Sequence, residues 1–203
     1  QPFVVDNRPG GSTIIGTAAA AKAAPDGYTL LVITATLLVN HWTQPNLPYD
    51  TLKDLVGVST LIRNPHMLVM HTSIPANNLK ELVAYAQKNP GKINMGVNGL
   101  GSFDHLETLL FAKATGTRYT VVGYKGGDTG LPDLLSGAVP LSFNNPGTIA
   151  THIKAGKLKG VAVGGERRNP LLPDVPTFAE AGMKDFDASN QYTMFAPSGT
   201  PRD

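Results

Sequence analysis

The sequence contains no cysteine. That excludes disulfide staples, thiolate nucleophiles and thiolate-ligated metal sites together. It leaves the compartment open, because a chain without thiols is indifferent to redox conditions. Charge is sparse: 16% of the 203 residues are charged and the formal net charge is +2. The basic residues are scattered and are not interleaved with aromatics, so the footprint of a nucleic-acid-binding surface is missing. No apolar run approaches the roughly 18 residues a membrane-spanning helix needs, so no direct membrane insertion is expected. His41, His66, His71, His105 and His152 show no metal-ligand spacing, and there is no Asp-rich calcium loop. No metal and no cofactor are therefore expected.

What is present is an ordinary globular composition, with 41% hydrophobic residues. That is enough to fill a core and too much for a disordered chain. The ends read as cut: the chain opens on Gln1-Pro2-Phe3 with no Met, and stops at Thr200-Pro201-Arg202-Asp203, a turn. The lack of a leader is therefore uninformative.

Strand-like and helix-like segments alternate along the chain. Residues 3–6 read as a strand, and Asn7-Arg8-Pro9-Gly10-Gly11-Ser12 as a turn-rich loop. The Ala-rich run 13–24 predicts a helix stopped by Pro25-Asp26-Gly27. Residues 28–39 predict a buried strand that runs on into loop. Residues 40–54, with Pro45 and Pro48, read mostly as loop, and 56–70 as one or two strands. Beyond this the period is regular. Asn78 with Glu81 forms a capping-box pattern that opens a helix to Lys88. Strands are predicted at 93–97, 119–122, 139–143 and 158–163. Helices are predicted at 102–115, 129–135 and 148–155, with Leu106, Leu109 and Leu110 on one face of the first. Thr177-Phe178-Ala179-Glu180 is a second capping box, opening a short helix that stops at Gly182.

This alternation predicts an α/β fold of parallel strands joined by crossover helices. The regular block 73–190 reads as one lobe. Residues 1–70 with 191–203 read as part of another, incomplete one.

The strongest local signal is Gly96-Val97-Asn98-Gly99-Leu100-Gly101-Ser102, between a strand and a helix. A Gly-rich turn lets a ligand approach the backbone, and the following helix start offers unpaired N–H groups and partial positive charge. The spacing fits neither a dinucleotide fingerprint, since Asp104 stands where the third Gly belongs, nor a phosphate loop with Gly-Lys-Ser/Thr. A tight turn with Ser102 as helix cap is the plain alternative. The loops Tyr124-Lys125-Gly126-Gly127-Asp128 and Asn144-Asn145-Pro146-Gly147-Thr148 also follow strands. In an open α/β sheet such loops share one edge, where ligands bind. Polar neutral side chains dominate them, which suits reversible capture of a carboxylate.

Catalysis finds less support. Ser102, Asp104 and His105 carry the names of a triad but lie within one helical turn. No Gly-x-Ser-x-Gly elbow is present. An α/β enzyme, a hydrolase or transferase using Ser102 or Asp128, remains the rival reading. It predicts turnover where a receptor predicts stoichiometric binding.

Read in order, several of these segments resemble the receptors of tripartite tricarboxylate transporters, the Bug (TctC) family. They are Asn7-Arg8-Pro9-Gly10, Pro25-Asp26-Gly27-Tyr28-Thr29-Leu30, Gly99-Leu100-Gly101-Ser102 with His105, and Tyr124-Lys125-Gly126. Ala155-Gly156-Lys157-Leu158, Leu172-Pro173-Asp174-Val175-Pro176-Thr177, Glu180-Ala181-Gly182 and Ala196-Pro197-Ser198-Gly199-Thr200-Pro201 follow. The resemblance implies a two-lobed periplasmic-binding-protein-like fold of type II, a periplasmic location, no catalysis, and a small organic acid as ligand. It implies membrane permease subunits or a sensor kinase as partners. It places the carboxylate grip on the loop from Gly99 to Ser102; the expected contacts are then Gly99, Gly101 and Ser102, with Asn98, Tyr124, Asn144 and the segment from Thr34 to Thr36 lining the cleft. Departures are also visible. Members of the family extend further at both ends. Gly123 stands where Pro is frequent, and Ala138-Val139-Pro140 replaces a more polar pattern, Pro140 suggesting an edge or a bulge.

Overall fold

The computed structural model describes residues 2–126 and 129–201. In chain order the elements begin with α1 (Ile14–Ala21), β1 (Leu31–Thr34), α2 (Thr36–Thr43), β2 (Leu55–Pro65) and β3 (Met67–His71). They continue with α3 (Leu79–Lys88), β4 (Asn94–Val97), α4 (Phe103–Thr115), β5 (Thr120–Gly123) and α5 (Leu131–Ser136). The last are β6 (Leu141–Asn144), α6 (Pro146–Lys154), β7 (Leu158–Val163) and β8 (Ser189–Pro197). The chain divides into two compact units. Unit 1 is Gln1–Arg63, Gly101–Phe103 and Gln191–Asp203; unit 2 is Asn64–Leu100 and Asp104–Asn190. The division falls inside β2 and β8, before Gly101 and after the first residue of α4.

Unit 2 is built on a five-stranded sheet in the order β5-β4-β6-β3-β7. β4 runs parallel to β5 and to β6, whereas β3 is antiparallel to both β6 and β7. The parallel pairs follow from the crossover helices α4 and α5 between their strands. β3 reads Met67-Leu68-Val69-Met70 because both its faces are covered. Met67 and Val69 enter one core with Leu134, Ile149 and Leu158; Leu68 and Met70 enter the other with Phe111, Phe143 and Phe178. In that second core Phe111 contacts Tyr119, Phe143, Phe178 and Phe186 at ring distances of 5.7–6.3 Å.

Unit 1 carries a three-stranded sheet, β1-β8-β2, with β1 antiparallel to β8 in the register Leu31↔Phe195. Its core gathers Ile33, Leu37, Tyr49 and Leu55.

Several expectations change. Residues 3–6 form no strand; Phe3, Val4 and Val5 are 82–90% exposed. Residues 36–43, expected as strand and loop, form α2, because only Leu31–Thr34 finds a partner strand and the local chain then closes its own hydrogen bonds. The second capping box forms as drawn: Glu180 N–H donates to Thr177 Oγ1 (3.1 Å) and Thr177 N–H donates to Glu180 Oε2 (2.8 Å). It opens only a turn, since Gly182 at φ 99° ends the helical backbone at once. Pro140 lies one residue before β6, at neither an edge strand nor a bulge. β8 carried no strand prediction and is central in its sheet. The face shared by Leu106, Leu109 and Leu110 is exposed, at 38%, 50% and 50%. Spacing defines a face of a helix, not the side that is covered. α4 instead buries Asp104, Glu107, Thr108 and Phe111.

Candidate functional site

In unit 2, Asn98, Tyr124 and Asn144 stand at the carboxyl ends of the parallel strands β4, β5 and β6. All three line one small pocket, together with Asp104, Ser142 and the floor residues Leu134, Val139 and Phe143. It has room for about one or two water molecules. The parallel ladder explains the convergence: strands running the same way deliver the residues at their carboxyl ends to one edge.

Tyr124 is held from two sides. Its hydroxyl donates to Asp133 Oδ2 at 2.6 Å. Burial, then the hydrogen bond to and charge of Asp133, push its pKa up to about 12. The phenol therefore stays protonated, and its proton is committed to Asp133. Its ring needs the space left by two glycines. A Cβ on Gly130 would lie 2.8 Å from the ring, and one on Gly96 would lie 3.3 Å from it. Neither glycine has a positive φ, so the requirement is room, not backbone freedom.

Asn98 is the exposed tip of the β4 turn, and its backbone N–H donates to Asp104 Oδ2 at 2.5 Å. Asp104 is 5% exposed. This carboxylate, named above only as a nominal triad member, braces the turn from the first turn of α4. Asn144 Oδ1 accepts from Asn145 N–H (3.0 Å), and Asn145 Oδ1 accepts from Asn64 Nδ2 (2.5 Å). Ser142 is 8% exposed and its Oγ is buried without a hydrogen-bond partner. A hydroxyl at this wall can donate to an oxygen atom placed in the pocket.

The other expected residues lie elsewhere. Gly99 is buried and does not line this pocket. Gly101 and Ser102 fall in unit 1, with Gly101 at φ 83°, a left-handed position that favours glycine. Thr34 and Thr36 also belong to unit 1. Thr34 Oγ1 donates to Thr36 Oγ1 (3.0 Å), and Thr36 Oγ1 accepts from Phe103 N–H (3.1 Å). Asp128 lies outside the described residues. Ser142, Asp133, Gly96 and Gly130 were missed. Ser142 sits on a strand position with no motif around it, Asp133 in the first turn of α5 carries only the general signal of an acidic helix start, and the glycines matter only through a ring brought in from another segment. Asp104 did have a signal, an acidic residue in a first helical turn.

The pocket can hold polar oxygen atoms through hydroxyl and amide donors. Among the described residues there is no cluster of three or more His, Asp or Glu able to hold a metal, and no helix long and apolar enough to cross a membrane.

The family model of the tripartite tricarboxylate transporter family receptor matches residues 1–203. The protein BugT of Bordetella pertussis is 40% identical over 202 residues, covering 98% of this chain and 62% of BugT. The chain thus spans less than two thirds of that relative's length. Among solved structures, Rpa4515 of R. palustris with adipate superposes at a TM-score of 0.92 with 36% identity, covering all of this chain and 68% of that one. The periplasmic binding protein BugD superposes at 0.88 with 33% identity, covering 98% and 67%. MatC from Rhodopseudomonas palustris with bound malate superposes at 0.87 with 29% identity, covering 99% and 69%. The fold is that of the periplasmic binding proteins, mixed α/β with parallel strands in the five-stranded sheet.

Proposed function

We propose, from the premise that the chain belongs to the tripartite tricarboxylate transporter receptor family, that it captures a small organic carboxylate for a membrane permease and does not transform it. Its family is one of receptors, not of enzymes. The observation that carries the reading is the convergence of Asn98, Tyr124, Asn144 and the unpartnered Ser142 hydroxyl on one pocket at the carboxyl ends of β4, β5 and β6. The Ser142 hydroxyl and the Asn98 and Asn144 amides are neutral donors that hold a carboxylate reversibly through charge-assisted hydrogen bonds, while Tyr124, its proton given to Asp133, shapes the wall. Gly99 in unit 2 is a further ligand contact on this reading, whereas Gly101, Ser102, Thr34 and Thr36 belong to unit 1. Adipate in Rpa4515 and malate in MatC support dicarboxylates as the ligand class. The two compact units act as the two lobes of the receptor, and capture takes place in the periplasm. Closure on the acid shifts an existing equilibrium only as far as the closed form binds better.

Calorimetry with adipate and malate tests this. One acid binds per chain with no chemical change in the recovered ligand. Ser142→Ala or Asn98→Ala weakens binding about 10-fold or more, the cost of one hydrogen bond to a charged group. If no organic acid binds the chain, or if the acid is consumed, the reading is wrong.

A further inference from the structure

α4 is folded with its leucines outward and two carboxylates inward. Glu107 and His66 meet inside unit 2: Glu107 Oε2 lies 2.9 Å from His66 Nδ1, and the two side chains are 2% and 7% exposed. Glu107 Oε1 is buried with no hydrogen-bond partner. His66 sits at the β2–β3 junction and is fixed by its backbone on two sides. Its N–H donates to Ala188 O (2.6 Å), and its carbonyl accepts from Gly164 N–H (2.9 Å). One helical turn before Glu107, Asp104 holds the Asn98 N–H. The charged groups facing this pair are Asp104 from α4 and Asp187 from the segment before β8. Asp187 itself accepts from Gly165 N–H and Ser189 Oγ.

We infer that His66 and Glu107 are positioning residues: a shared proton between them clamps the first turns of α4 to the β2–β3 junction and so sets where Asp104 holds the Asn98 turn. The inference rests on that turn being part of the carboxylate site.

The physical chemistry gives the direction. Burial opposes charge on the imidazole, but the Glu107 carboxylate and the Asp104 charge outweigh it and raise the His66 pKa above its ordinary value. Burial raises the Glu107 carboxyl, and His66 opposes that only in part. Both groups hold protons to higher pH than they would in the unfolded chain. The stabilisation is therefore complete below the ordinary imidazole range and is lost as pH rises through the folded-state value of His66. Above it, Glu107 is a buried anion that has lost the imidazolium and still faces Asp104 and Asp187. The N-terminal turn of α4 then relaxes and the Asn98 turn moves with it.

The test is an NMR titration of the full chain across about pH 5–9, following the His66 ring and the backbone amides of Asn98 and Gly99. The expected result is that both amides titrate with the His66 midpoint, above the ordinary value of about 6.5. Glu107→Gln keeps a hydrogen-bonding group but cannot carry the charge, and it abolishes this co-titration. Adipate affinity falls about 3- to 10-fold across the same midpoint in the native sequence and not in the variant. Amides that ignore the His66 titration, or that follow it unchanged in Glu107→Gln, overturn the inference. Co-titration in a protein that binds neither adipate nor malate at any pH leaves the clamp standing and removes the carboxylate site.

Discussion

Tyr124 shows how a pocket residue is specified by its neighbours. Its ring occupies space that Gly96 and Gly130 leave open, and its hydroxyl is tied to Asp133. Gly130→Ala places a methyl group within 2.8 Å of the ring, and the ring must move. Overpacking of this kind costs about 1–3 kcal/mol. A lowered urea midpoint together with weaker adipate binding is the expected outcome. The tyrosine also has an alkaline signature. Burial and Asp133 raise its pKa to about 12, and burial does the same to Tyr119. A raised folded-state value means that the Tyr124 contribution is intact below the ordinary tyrosine range and is lost as pH climbs toward about 12. Absorbance titration of the phenolates will show late-ionising tyrosines, and Asp133→Asn will move one of them down while leaving the other in place.

At the scale of elements, two helices make contrasting predictions. α3 begins at Asn78, whose side chain accepts the Glu81 N–H at 2.9 Å. Removing that cap with Asn78→Ala costs about 1 kcal/mol, read as a lower denaturation midpoint with an unchanged slope. α4 is anchored by Phe111, fully buried among Tyr119, Phe143, Phe178 and Phe186. Phe111→Ala leaves a cavity in that aromatic cluster and costs about 3–5 kcal/mol. Leu109→Ala, on the exposed side of the same helix, leaves stability nearly unchanged. The pair of measurements separates the buried face from the leucine face directly.

For the whole molecule, Trp42 is a natural reporter. It is the single tryptophan and is 82% exposed on α2 of unit 1. Its emission will be that of a water-exposed indole and will be quenched readily by iodide. Shielded, blue-shifted emission would show instead that this side of α2 is covered in solution. Unit 1 exposes Phe3, Tyr28, Leu38 and Ile62 besides Trp42, a large apolar display for one compact unit.

The sequence by itself determined most of the architecture of unit 2 and the chemical character of its loops. The predicted strand at 158–163 coincides with β7, and Asn78 caps α3 as its pattern required. Capping boxes, glycine stops and buried apolar runs act over a few residues, so they are readable locally. Asn98, Tyr124 and Asn144 were legible for the same reason: each stands at the carboxyl end of a strand, and parallel strands bring such residues to one edge. The tertiary structure alone decided which face of α4 is buried. Leu106, Leu109 and Leu110 have the spacing of a core stripe, yet Asp104, Glu107 and Phe111 point inward. Periodicity names a face, but the side it turns to depends on what stands opposite. Here that is His66, 41 residues before Glu107 in the chain, and an aromatic cluster of Tyr119, Phe143, Phe178 and Phe186. The unmatched Ser142 hydroxyl and the space around Tyr124 were hidden likewise, because both are made by residues that meet only in the folded chain.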